Sequence, residues 1–302
     1  METVAVDIHN STDLLGISQL VDSETKIHDG RYWVDLPRSV RQRMKDMGRH
    51  LPTVSCLPRS TLIGMGTYGV VHGLRVNDAE VAVKIFHEAM TDPKTGLLLP
   101  VDLNRGTSME NLESGHLRDF LMSQTCGQLP HCVPFVASAL CFESETPAIV
   151  TPRFRTDLDF AMRCQGLDAS HRHQLLGDLL TALAYMHAHG LMHRDVKPSN
   201  CFIDGETSRL YLGDFNLTRT VATAPGHTVS GFEEPLSPTT QTIMFRSPEV
   251  ALHSRQYTRV IDCFSVGMIW FEMLAHQMAM HDIRQEDDFA LLYSLLRVLG
   301  PP

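Results

Sequence analysis

The stretch that most constrains this chain is His193-Arg194-Asp195-Val196-Lys197-Pro198-Ser199-Asn200, with Asp214-Phe215-Asn216 fourteen residues beyond Asn200. Upstream of it, Leu175, Leu176, Leu179, Leu180, Leu183 and Ala184 recur at helical spacing, and Gly190 is placed to end that helix. Downstream, Cys201-Phe-Ile203 and Leu210-Tyr-Leu212 read as short strands around a turn at Asp204-Gly205. A dense set of charged and amide side chains therefore sits on a loop between a helix and a hairpin. The bland alternative is an ordinary polar loop, and the number of fixed residues argues against it.

A second polar feature lies in the first third. Gly64-Met65-Gly66-Thr67-Tyr68-Gly69-Val70-Val71 falls between two strand-like runs, and Glu80-Val-Ala-Val-Lys-Ile-Phe86 alternates as a third strand. Backbone N–H groups of a glycine loop can approach phosphate oxygens closely, although glycines also make plain hairpin turns. A dinucleotide site needs a helix after the loop, and here a strand follows. Lys84, on an apolar strand, needs an anionic partner, and nucleotide phosphates would supply one.

Composition fits a chain with a substantial core: 43% hydrophobic and 20% charged residues over 302 positions. The net charge of −9 argues against nucleic acid as the main partner. Seven widely spread cysteines with no C-x-x-C pair read as reduced thiols of an intracellular protein, cytoplasmic or nuclear. No signal-peptide pattern opens the chain, and no run approaches 18 apolar residues, so no membrane partner is expected. Residues 1–55 read as an N-terminal extension with a short amphipathic helix in Arg38–Arg49. The region Thr91–Met109 reads as a loop, Glu110–Ser123 as a helix and Pro147–Thr151 as a buried strand. Phe264–Leu274, apolar almost all round, reads as a helix buried on every side.

Together these motifs resemble the eukaryotic protein kinases, from about Leu62 to the end of the chain. The resemblance implies an α+β, bilobal fold: a small antiparallel β lobe over about 56–151 and a larger helical lobe over about 156–302. It also implies ATP and Mg²⁺ as cofactors and a protein substrate. By the same resemblance Asp195 addresses the acceptor hydroxyl, and Lys197 lies near the γ-phosphate, as in serine/threonine kinases. Asn200 and Asp214 hold Mg²⁺, and Lys84 meets the α/β-phosphates. Ile63 to Val71, Ala82 and Thr151 contact the nucleotide, Thr151 as gatekeeper. Phosphoryl transfer does require metal anchors, cations on the phosphates and a positioned nucleophile. Thr242-Ile-Met-Phe-Arg246-Ser-Pro-Glu249 and Leu295-Leu-Arg-Val-Leu-Gly300-Pro-Pro302 are similar to segments of the cyclin-dependent and mitogen-activated kinases.

Three departures and one shared feature accompany the resemblance. Asn216 stands where a glycine is usual, and asparagine tolerates a left-handed backbone best among the other residues. The partner of Lys84 is expected at Glu113, ahead of Glu110. Arg194 is expected to receive an activation-segment phosphate, at Ser237 by position, with Thr239 and Thr240 as the alternatives. The family continues with further helices, so the helical lobe is expected to be incomplete at Pro302, with Glu249 and the Asp262–Leu274 helix short of cover. An activating or stabilising protein partner is a further expectation.

Overall fold

A computed structural model describes residues 26–28, 31–33, 53–54, 61–66, 69–76, 79–86, 119, 122–141, 147–220, 236, 240–275 and 287–300. The chain divides into two units: Met1–Gln128 with Val133–Arg153, and Leu129–Cys132 with Phe154–Pro302. The expected helix in Arg38–Arg49 and the Thr91–Met109 loop fall outside the described residues.

The first unit holds a hairpin of β1 (Lys26–His28) and β2 (Arg31–Trp33). It also holds a sheet built from β3 (Thr53–Val54), β4 (Thr61–Gly66), β5 (Gly69–Val76), β6 (Ala79–Phe86), β7 (Ala137–Cys141) and β8 (Pro147–Pro152). The strand order is β3-β7-β8-β6-β5-β4, antiparallel throughout except for the β3–β7 pair. The alternation in β6 does the sorting. Val81, Val83 and Ile85 are buried with Val70, Leu74, Ala148 and Val150, while Ala82 and Lys84 lie half-buried on the opposite face. At about 1.5–3 kcal/mol per buried aliphatic side chain, that cluster outweighs the cost of half-burying one lysine.

The second unit is organised by helix α1 (Ala169–Ala188). The Asp168 carboxylate caps it by accepting from the N–H of His171 at 2.8 Å, and Gly190 follows in a left-handed conformation, φ 73°. Of the predicted stripe, Leu175, Leu179 and Leu183 are buried, Leu176 is half-buried, and Leu180 and Ala184 are exposed; Ala182 and Met186 complete the buried face. Strands β9 (Thr156–Asp157), β11 (Cys201–Ile203) and β12 (Leu210–Leu212) form a small sheet in the order β12-β11-β9. A two-residue pairing of β10 (Leu191–Met192) with β13 (Arg219–Thr220) adjoins the His193–Asn200 segment. Helices α2 (Val260–Ala275) and α3 (Asp288–Leu299) complete it.

Helix α2 departs from the expectation of burial on every side. Ile261, Asp262, Ser265 and Ile269 are fully buried, whereas Val260 (60%), Phe271 (40%) and Leu274 (54%) are exposed. Burial on one face only follows from what packs there: α1, with Arg172 donating from its guanidinium to the Met273 carbonyl and His173 edge-on to Trp270, and the segment 245–257, with Ser265 Oγ donating to the Phe245 carbonyl at 2.8 Å and Ile261 against Met192, Val250 and Tyr257. Among the described residues, no helix is long and apolar enough to cross a membrane.

Candidate active site

Asp195 lies in the loop after β10, and buried hydrogen bonds fix the loop's backbone. The Asp262 carboxylate, wholly buried in the first turn of α2, accepts from the N–H of His193 at 3.0 Å and of Arg194 at 2.8 Å. It also faces His187 Nε2 at 2.9 Å. The His193 ring is buried: Nδ1 accepts from the N–H of Asp195 at 3.2 Å, so Nε2 carries the proton and donates to the Gly213 carbonyl at 3.0 Å. Phe215 packs edge-on against the same ring. Arg194 is left-handed, φ 68°, and buried. Such strain in residues with a Cβ is maintained where surrounding bonds over-determine it.

The Asp195 carboxylate is almost entirely engaged. Oδ1 accepts from the N–H of Thr242 at 3.0 Å and from its hydroxyl at 2.8 Å. Oδ2 lies 2.8 Å from Lys197 Nζ and accepts from Asn200 Nδ2 at 3.2 Å. Lys197 also donates to the Thr242 hydroxyl at 3.0 Å. A threonine hydroxyl therefore sits between the lysine and the carboxylate, within the reach a proton-accepting base requires.

Asn200 spends its Nδ2 on the Asp195 backbone oxygen, 2.8 Å away, and on the carboxylate. Its amide oxygen is thereby turned away from Asp195. Asp214, two residues beyond β12, is left-handed with φ 62° and ψ 74°. An amide oxygen and a carboxylate are hard donors of the kind Mg²⁺ takes, and positive φ is an uncommon conformation for a residue with a Cβ. The donor set fits a divalent cation. The left-handed residue is thus Asp214 and not Asn216: Asn216 lies in a 3₁₀ turn, Phe215–Leu217, with negative φ, so its tolerance of a left-handed backbone is not called on.

In the first unit, Lys84 Nζ is paired with Asp119 Oδ2 at 2.5 Å. Asp119 is buried, and its Oδ1 accepts from the Ser123 hydroxyl at 3.3 Å. The expected partner, Glu113, and its alternative Glu110 lie outside the described residues; the carboxylate seen at Lys84 belongs to a different residue. Asp119 is helical, as are residues 122–126, which extends the expected helix past Ser123.

Of the glycine-loop residues, Thr67 and Tyr68 lie outside the described residues, while Ile63, Gly64, Met65, Gly66, Gly69, Val70 and Val71 lie in β4 and β5. A Cβ on Gly69 would stand 2.3 Å from the Ile85 carbonyl, so strand packing alone demands glycine there. A Cβ on Gly64 would meet only Val71, at 3.6 Å. Ala82 and Thr151 are half-buried neighbours in the β6–β8 register.

A family model for the protein kinase domain matches residues 136–297. The chain belongs to the protein kinase family. The match takes in the catalytic loop, Asp214 and the Thr242–Glu249 segment of this kinase, while the glycine loop and Lys84 precede it.

The remaining polar clusters have structural roles. His187 and His193 are bonded to Asp262 and to a carbonyl, and no group of metal-ligating side chains is found among the described residues. Burial pushes the Cys132 thiol up to about 12 and the Cys201 thiol up as well, which keeps both protonated. Arg194 donates to the Tyr257 hydroxyl at 2.8 Å and to the Leu217 carbonyl at 3.4 Å; Ser237 is outside the described residues.

Proposed function

We propose that this kinase transfers the γ-phosphate of ATP to serine and threonine hydroxyls of protein substrates in a Mg²⁺-dependent reaction. The observation that carries the reading is the Thr242 hydroxyl, accepting from Lys197 and donating to Asp195. An acceptor hydroxyl presented to Asp195 would meet the same pair, its proton drawn by the carboxylate while Lys197 faces the transferring phosphoryl group. Asn200 and Asp214 would hold Mg²⁺, which when bound neutralises phosphate charge. Lys84 and the glycine loop are assigned to the nucleotide, with Ala82 and Thr151 beside its base. The resemblance of Thr242–Glu249 supports membership of the cyclin-dependent and mitogen-activated group, within a domain spanning about 56–302.

Asp195→Asn tests the reading. It is expected to abolish transfer of labelled γ-phosphate to a basic acceptor protein, while leaving MgATP affinity within a few fold. Equal transfer by the wild type and the variant would overturn it. A second reading, a scaffold that binds without transfer, is favoured by Asn216, whose buried Oδ1 has no hydrogen-bond partner. In that case the wild type itself would be inactive.

A further inference from the structure

Gln241 immediately precedes Thr242 and is held left-handed, φ 62°, despite its side chain. Its N–H donates to the Arg194 carbonyl at 3.0 Å. Its buried amide is spent on structure: Nε2 donates to the Ile261 carbonyl at 2.9 Å and to Ser265 Oγ at 2.8 Å, and Oε1 accepts from the N–H of Ser247 at 3.0 Å. These bonds anchor the side chain, but they leave the carbonyls of the segment to be oriented by something else.

Arg246 orients them. Its Nε donates to the Thr240 carbonyl at 3.0 Å and its NH2 to the Gln241 carbonyl at 3.0 Å. The third guanidinium nitrogen, NH1, meets Asp288 Oδ1 at 2.5 Å in the first turn of α3. A planar guanidinium that serves two carbonyls on one edge has its plane set by what grips the other edge, and a lysine could not make the same three bonds. Asp288 is the gripping group. Among the described residues, the other titratable side chain facing it is His253, Nε2 at 3.7 Å. The chain of contacts therefore runs from Asp288 to Arg246, to the carbonyls of Thr240 and Gln241, and to Thr242, whose N–H and hydroxyl rest on Asp195.

We infer that Asp288 is a positioning residue for phosphoacceptor engagement: through Arg246 it sets the backbone of 240–242 against Asp195. The kinetic part of this inference rests on the phosphotransferase reading, and the structural part does not. The competing role is local, a carboxylate that merely favours the start of α3.

The test uses the full chain with Asp288→Asn, Asp288→Glu and Arg246→Lys. Amide hydrogen exchange at Gln241 and Thr242 is expected to accelerate about tenfold or more in Asp288→Asn and Arg246→Lys, with α1 unchanged and Asp288→Glu close to wild type. In the kinetic arm, KM for an acceptor peptide is expected to rise and transfer to fall about tenfold. MgADP affinity and hydrolysis of ATP by water should hold. Unchanged exchange at 241 and 242 would overturn the inference. Loosening confined to 287–299, or equal loss of protection throughout both variants, would also overturn it. A wild type that binds MgADP yet transfers nothing would count against the phosphotransferase reading alone, because the exchange arm still decides the role of Asp288.

Discussion

The loop around Asp195 and the strand that carries Lys84 are held in place by different means. In the catalytic loop, consecutive backbone N–H groups point at one buried carboxylate, Asp262, and the strained Arg194 is tied through both its N–H and its carbonyl. At Lys84 the strand supplies the position, and a polar hold on the ammonium comes from the Asp119 carboxylate, 35 residues away in sequence. The first arrangement fixes geometry through many short-range bonds, while the second depends on where a helix lies. Damage to the first should therefore unmake the site, whereas damage to the second should retune it.

The strongest break in that comparison is Asp262→Ala. It strands two buried N–H groups and the His187 ring, at about 1–3 kcal/mol for each unsatisfied donor. The expected outcome is a loss of at least about 3 kcal/mol in urea unfolding together with complete loss of transfer. A variant that keeps wild-type stability would show that the loop is held by something other than this carboxylate.

Next in size is the lysine side of the comparison. Asp119→Asn should leave the fold intact but release the Lys84 ammonium, and a displacement of about 1 Å in a phosphate-positioning group can cost about a hundredfold in transfer. Glu113→Gln sharpens the point: it should cost less than Asp119→Asn. The reverse order, measured as kcat/KM for ATP, would assign the functional partner to Glu113.

The same contrast explains what could be read from the sequence. The catalytic loop, its preceding helix and the two following strands were legible because each depends on neighbours in the chain: the helix by the periodicity of Leu175, Leu179 and Leu183, its end by Gly190, and Cys201–Ile203 by its turn. Asp119 was not, because no local spacing says which carboxylate on a helix reaches a strand 35 residues away. The left-handed backbone at Asp214 and Gln241 was hidden for the opposite reason. Tertiary bonds impose it on residues whose own preference is against it. Burial of α2 was overread, because an apolar sequence states what a helix could bury and not which faces find a neighbour.

A smaller effect separates the glycines. Gly69→Ala drives a Cβ into the Ile85 carbonyl and should cost about 1–3 kcal/mol by overpacking β5 against β6. Gly64→Ala finds ordinary contact with Val71 and should leave stability within about 0.5 kcal/mol. If Gly64→Ala nevertheless weakens MgATP binding in calorimetry, the loop's backbone is doing ligand work that the sheet does not require of it. If neither stability nor binding changes, Gly64 is an ordinary strand residue and the nucleotide assignment loses one of its supports.

The smallest effect is a dependence on alkali that should follow the second unit's buried thiols. Cys132 and Cys201 are both held protonated by burial, Cys132 up to about 12 against an ordinary value of 9.0. Below about pH 9 the thiol is protonated whether the chain is folded or not, and this contribution is fully present. Above that, the unfolded thiol ionises while the folded one keeps its proton, so stability falls as the pH rises toward 12. Lysines and tyrosines titrate in the same range, so the decisive quantity is the difference between wild type and Cys132→Ala in urea midpoint at pH 7, 9 and 10.5. The alanine should cost about 1 kcal/mol at neutral pH through the small cavity it leaves, and that deficit should shrink as the pH rises. A deficit constant across the series would mean that the Cys132 thiol ionises as readily folded as unfolded, and the alkaline weakening would then lie elsewhere in the molecule.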